Sequence, residues 1–170
     1  PAGEEAMPTN LLRRKREKPA PAQRSAPAER GGPARFVRLT VGRHQRVLRL
    51  LETRNADRVR QALPLFSIAE TWGESIHFET PLRTGRERGA RLNVRPGDVC
   101  FWSEDERVVL AWGPTPISRP DEIRLMRPCN VWAETLGDPQ ILSDVTPGEK
   151  VSLERAPPSA MDGIEAAAVP

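Results

Sequence analysis

Apolar and polar residues alternate with a period of two over most of the chain. In the stretch RFVRLTV, the residues Val37, Leu39 and Val41 fall on one face, and RVLRLLE follows after a glycine, which predicts a hairpin over 35–52. Further short strands are predicted at 67–71, 74–79, 98–102, 107–112, 129–135 and 150–154, with turn residues between them. Many short strands of this kind are typical of a small, largely antiparallel β-barrel.

Two short helices are expected among these strands. Asn55 is predicted to cap the first, over ADRVRQAL, whose apolar residues share one face and which Pro64 ends. Asp138, followed by a proline, is predicted to cap the second, over PQILSDV. The fold class is therefore mainly β with one or two short helices.

Composition divides the chain into three parts. Residues 1–33 are rich in proline, alanine and charge, which predicts an extended arm, and residues 156–170 form a similar tail around a barrel domain at 34–155. Seven basic and four acidic residues in the first 34 account for the whole net charge of +3. The remainder, residues 35–170, holds 19 basic and 19 acidic residues and is neutral, so no net field is expected to attract nucleic acid to it.

Several kinds of site are not expected. The run RRKREK lacks interleaved aromatic residues, so no nucleic-acid binding is predicted. His44 and His77 have no second ligand at metal spacing, and no cofactor motif is present, so neither a metal nor a cofactor is expected. Cys100 and Cys129 are predicted to be reduced and buried. With no apolar run able to span a bilayer, these features predict a cytoplasmic protein with no membrane contact.

Three motifs in order carry a resemblance to a known family. They are TWGESIHFETP (71–81), PGDVCFWSEDERVVLAWGPTPIS (96–118) and CNVWAETLGD (129–138). Together they resemble the small prokaryotic cyclophilin-like family, a set of single-domain proteins of uncharacterised function. The resemblance covers about 35–155 and implies a closed, roughly eight-stranded barrel capped by helices at its open ends.

The same resemblance bears on catalysis. Cyclophilin prolyl isomerases hold the prolyl carbonyl with an arginine in a Phe-His-Arg setting, whereas here Phe78 and Glu79 follow His77 and no arginine stands at the matching place. A fold does not carry its activity with it. The sequence therefore favours a protein that is not an enzyme, with His77 as scaffold. The alternative is an isomerase-like enzyme, or a hydrolase using His77 and Glu79.

Aromatic residues give the best indication of a binding site. A ligand-binding cleft is predicted from Trp72, Glu74, Trp102, Trp112, Thr115 and Pro116. The alternative is that the rings fill the barrel interior. Phe101 and Trp102 alternate along a strand, so only one of them is expected to face inward.

These observations predict a non-catalytic or weakly catalytic binding module that accepts a peptide or small ligand in the aromatic cleft. The arm, residues 1–33, is expected to join a protein partner or a second copy of the chain. The alternative is an accessory subunit of a multi-subunit enzyme.

Overall fold

The structure is a computed structural model, and it describes residues 35–156. Within that range the elements, in chain order, are β1 (Phe36–Val41), β2 (His44–Leu50), α1 (Arg54–Ala62), β3 (Leu65–Ile68), β4 (Glu70–Thr71), β5 (Ser75–Glu79), β6 (Arg91–Val94), β7 (Asp98–Trp102), β8 (Arg107–Ala111), β9 (Ile123–Thr135), a 3₁₀ helix (Pro139–Asp144) and β10 (Lys150–Arg155). The mainly β prediction is confirmed. The predicted arm and all but the first residue of the predicted tail lie outside the described residues.

The first helix begins two residues earlier than predicted. Thr53 is its N-cap, because the Thr53 hydroxyl accepts a hydrogen bond from the Ala56 backbone N–H at 3.1 Å. The assignment of Asn55 as the cap is therefore wrong: Asn55 lies inside the first turn and is fully buried. Asp138 does cap the 3₁₀ helix, since its carboxylate accepts from the Gln140 N–H at 2.9 Å.

The main sheet is antiparallel and open. Its strands lie in the order β3-β10-β1-β2-β9-β7-β8-β5-β4, and β6 pairs with β9 outside this path. The predicted closed barrel of about eight strands is wrong on both counts, since the sheet has ten strands and does not close.

The segment 65–71 explains why the sheet stays open. Its first part, β3, pairs only with β10, and its last part, β4, pairs only with β5. Ala69 lies between them and bonds to the turn at 148–149, donating to the Glu149 carbonyl at 2.8 Å. Neither edge of this segment is paired along its full length, so no continuous ring of hydrogen bonds forms.

Two apolar cores lie on opposite faces of the sheet. The larger, which we call the inner cluster, takes residues from nearly every strand and from both helices, and it includes Phe101. The smaller, the outer cluster, joins Trp102, Cys100 and Val109 to residues of β6 and the first part of β9, which cover that face. Only Phe101 of the pair faces the inner cluster, as the alternation predicted, but Trp102 is buried as well because the outer face is covered.

Neither helix in the described part of the chain is long enough to cross a membrane.

Candidate functional site

Two chain segments interlock at the start of β5, and we call residues 72–74 and 112–116 together the corner. The Glu74 N–H donates to the Pro114 carbonyl at 3.0 Å, and the Trp112 N–H donates to the Glu74 carbonyl at 3.0 Å. Gly73 has a φ of +59°, which a residue with a Cβ rarely adopts. The Glu74 carboxylate passes over Gly113, in the space that a Cβ there would fill. Glycine at both positions lets the segments meet this closely.

A pair of tryptophans continues from the corner onto the outer cluster. The half-buried Trp72 ring contacts Trp102 edge-on, with ring centroids 6.2 Å apart and planes at 68°. Trp102 is buried, and its indole Nε1 has no hydrogen-bond partner among the described residues. The His77 ring is a second neighbour of Trp102, with ring centroids 5.8 Å apart. Three neighbouring rings, with the buried Trp102 in the middle, therefore link the corner to a half-buried histidine.

His77 contacts two charged residues from neighbouring strands. Arg107 Nη1 lies 3.2 Å from His77 Nδ1 and 3.1 Å from Glu70 Oε2, and that carboxylate oxygen lies 3.6 Å from His77 Nδ1. Since a guanidinium can only donate, Nδ1 accepts and the ring proton lies on Nε2. Burial and then the charge of Arg107 lower the pKa of His77, and Glu70 partly opposes them. The imidazole is therefore neutral at neutral pH.

The structure brings the six residues of the predicted cleft together around the corner, but on two faces. Trp72 and Trp102 pack with the outer cluster, whereas Trp112 packs against the inner cluster. Thr115 is buried, and its hydroxyl donates to the Arg124 carbonyl and lies 3.0 Å from the Ser118 hydroxyl.

The remaining two predicted residues are exposed at the corner. Glu74 and Pro116 both reach solvent. Glu74 forms no ion pair with any residue between 35 and 156. Trp72, Glu74, Pro116 and the half-buried Trp112 are thus the predicted residues that reach solvent at the corner.

Two polar residues of this region were missed at the sequence level. Glu70 and Arg107 lie seven and thirty positions from His77, and they contact it because β4 and β8 flank β5 in the sheet. A strand order of this kind cannot be deduced from alternation, so no local signal could have found them. The alternation of Ile76 and Phe78 with His77 was correct, since the first two residues are buried in the inner cluster.

A buried amide fixes the loop that follows β5. Asn130 Oδ1 accepts from the Glu87 N–H at 2.8 Å, and Asn130 Nδ2 donates to the Gly85 carbonyl at 2.9 Å. The Glu87 carboxylate in turn accepts from the Asn55 N–H at 2.8 Å, in the first turn of α1. The loop is thereby tied to both a helix and a strand.

Cysteine and metal chemistry have little support in the described residues. Cys100 and Cys129 are free and buried, and a hydrogen bond from the Cys100 thiol to Cys129, together with burial, raises the pKa of Cys100. No three potential ligands among His, Cys, Asp and Glu come together within residues 35–156.

Comparison with known proteins gives a matching family and a similar solved structure. The model of a family described as cyclophilin-like matches residues 35–154. A hypothetical protein from Archaeoglobus fulgidus, with a known solution structure, is 31% identical and superposes with a TM-score of 0.65, covering 76% of this chain and 99% of its own. No curated protein matches.

Proposed function

Because this chain belongs to the cyclophilin-like family, we propose that it is a non-catalytic or weakly catalytic binding module of the cytoplasm. Its ligand is a peptide or small molecule that binds at the corner. The related archaeal protein is itself described only as hypothetical, so the proposal rests on this chain's own residues.

The half-exposed Trp72 carries the proposal. Its ring is held edge-on by the buried Trp102, so it offers a rigid apolar surface at low entropic cost. Glu74 and Pro116 are exposed beside it, and the Glu74 carboxylate is without an ion-pair partner among the described residues. Aromatic rings and a carboxylate together favour a positively charged group. The ligand class that fits best is a peptide with a basic side chain.

This proposal can be tested with short peptides that differ in one charge. The probes are an acetylated, amidated Gly-Pro-Arg peptide and its analogue with norleucine in place of arginine, titrated into ¹⁵N-labelled protein. We expect saturable shifts at the corner for the first peptide only. Weaker binding is expected in Trp72→Ala, Trp112→Ala and Glu74→Gln, with Glu52→Gln as the control because Glu52 is an exposed carboxylate elsewhere. Unchanged binding in all three corner variants would remove the site assignment.

A second role, as an accessory subunit, is supported by the edge of the sheet. On β3 the apolar side chains of Phe66 and Ile68 are 68% and 58% exposed, on a strand paired along one side only. Unpaired strands with apolar side chains are common protein contact sites. We propose that the chain joins a protein partner or a second copy, with residues 1–33 as the docking segment. Affinity purification of the full chain and of a variant lacking 1–33 tests this, since retention of a stoichiometric partner by the shortened chain would contradict it.

An enzymatic role centres on His77. Its neutral ring and its contact with Arg107 would allow proton transfer, but the three side chains described at its ring, Arg107, Glu70 and Trp102, include no serine, threonine or cysteine nucleophile. We expect no catalysed isomerisation of a prolyl peptide. Turnover that His77→Gln abolishes and Glu52→Gln leaves intact would instead establish an enzyme.

A further inference from the structure

A groove lies between helix α1 and the segment that follows β5. One wall is formed by Arg58, Gln61 and Ala62, and the other by Pro81, Leu82 and Arg83. Its volume is about 410 Å³, which falls within the range of roughly 300–1,000 Å³ that is usual for small-ligand sites. The strand β5 runs for about 17 Å between this groove and the corner. The two sites are therefore separate.

The charge of the groove has one sign. Two arginines line it and no acidic residue does. Arg83 Nε lies 3.0 Å from Glu106 Oε1, but the Arg83 side chain is 88% exposed, and an ion pair so open to water is weak and easily exchanged. Arg58 forms no ion pair with any residue that the structure describes. Both guanidinium groups are thus available to an anion.

Apart from Gln61, the rest of the lining is apolar. Leu82 is buried beneath the groove, with Ala62 on the helix side and Pro81 on the other. A ligand that filled the space would need an apolar body as well as a negative charge. Phosphate alone would leave this surface uncovered, whereas a carboxylate on an alkyl or side-chain group would cover it.

Both walls are fixed in place before any ligand binds. The buried Thr80 donates through its N–H and its hydroxyl to the Glu106 carbonyl, at 2.9 and 3.0 Å, and its hydroxyl accepts from the Leu82 N–H at 3.3 Å. On the other side, Val59 is fully buried and anchors the middle of α1. Walls that need no ordering reduce the entropic cost of binding.

We propose that this groove binds a ligand with one carboxylate and an apolar body, held by Arg58 and Arg83 over Leu82. Guanidinium groups suit a carboxylate because each can donate two parallel hydrogen bonds to it. The carboxylate can come from a small organic acid or from the C-terminus of a peptide, since the chemistry is the same.

The test uses the full chain, labelled with ¹⁵N, and four probes. They are N-acetyl-leucine and its amide, and an acetylated Gly-Gly-Ala-Leu peptide with a free or an amidated C-terminus. Each is titrated into the wild type, into the double variant Arg58→Gln and Arg83→Gln, and into Arg95→Gln. Arg95 is exposed and lies outside the groove, which makes it a matched control.

We expect saturable shifts at residues 58–62 and 81–83 with the free carboxylates, and binding at least about tenfold weaker for the amides and for the double variant. Arg95→Gln should bind as the wild type does. Binding of N-acetyl-leucine supports a small acid, and binding of the peptide alone supports a C-terminus. Equal affinity for acid and amide, full retention in the double variant, or no saturation by either acid would overturn the proposal. None of these results depends on what binds at the corner.

Discussion

The backbone of Gly73 lies directly against that of Pro114. A Cβ atom built at Gly73 would stand 2.8 Å from the Pro114 carbonyl oxygen and 2.8 Å from Pro116 Cδ. Real Cβ atoms do not approach backbone atoms so closely, and the positive φ of Gly73 adds strain for any other residue. The contact therefore holds the corner in one arrangement.

The first prediction follows from this contact. Gly73→Ala should lower the free energy of unfolding by about 1–3 kcal/mol, because the new methyl group clashes with backbone and the residue keeps an unfavourable φ. Urea denaturation measures the change. Gly85→Ala is the control, since a Cβ there meets nothing within 4 Å. A Gly73→Ala protein as stable as the control would show that the loop moves aside freely.

The second prediction concerns the buried amide of Asn130. Asn130→Ala should cost about 1–3 kcal/mol of unfolding free energy, because the Glu87 N–H and the Gly85 carbonyl both lose their partner. Hydrogen exchange of the Glu87 amide should accelerate in parallel, as the loop is released. Asn93→Ala, at an exposed position on β6, serves as the control. Unchanged exchange at Glu87 would mean that other contacts hold the loop.

The third prediction concerns pH. Because the pKa of His77 is lower in the folded protein than in the unfolded chain, the unfolded state binds more protons once the pH falls below the unfolded value of about 6.5. Protonation of His77 in the unfolded chain should therefore lower the free energy of unfolding as the pH falls from about 7.5 to about 5.5. This range lies above the one in which most carboxylates titrate. Urea unfolding across this range should give a smaller loss for His77→Gln than for the wild type. Identical slopes would contradict the role of burial and Arg107 at this ring.

The fourth prediction concerns thiol reactivity. Cys100 and Cys129 are the two cysteines of the sequence, and both are buried. Burial blocks the access of a reagent to the Cys100 thiol, and the raised pKa of this thiol also suppresses the reactive thiolate form. An aromatic disulfide reagent should therefore label neither thiol in native buffer and both in denaturant. Rapid labelling of the native protein would show that the outer cluster opens on the time scale of the reaction.

Local signals in the sequence were enough to predict the strands whose apolar pattern and flanking turn residues lie within one short segment. The hairpin of β1 and β2, and the strands β7 and β8, have strong alternation or apolar runs beside turn residues, and they form close to where they were predicted. The length of β9 was underestimated, although Ile123 and Leu125 alternate with polar residues and offered a signal. Pro128 lies within the strand, where a proline is a signal against continuous pairing.

Other features depended on contacts between distant segments. In β6 only Val94 is buried, so its sequence has no period to detect. Both faces of β7 are covered because β6 and the start of β9 fold over the outer one, so Phe101 and Trp102 are both buried although they face opposite sides. The contact of the Glu87 carboxylate with the first turn of α1 likewise depends on the three-dimensional arrangement alone. So does the contact of Arg107 with His77.

The position of Ala69 has a consequence for redesign of the chain. The two outermost strands of the sheet, β3 and β4, are successive in the sequence, so a single residue, Ala69, connects the two borders of the sheet. The covalent chain thus holds the two borders of the curved sheet near each other, whereas in a closed barrel hydrogen bonds between the border strands would do so. A circular permutant with new termini at residue 69 would keep every strand pair but lose that constraint. Its borders would be free to separate, and the inner cluster would become accessible to solvent and to a hydrophobic dye.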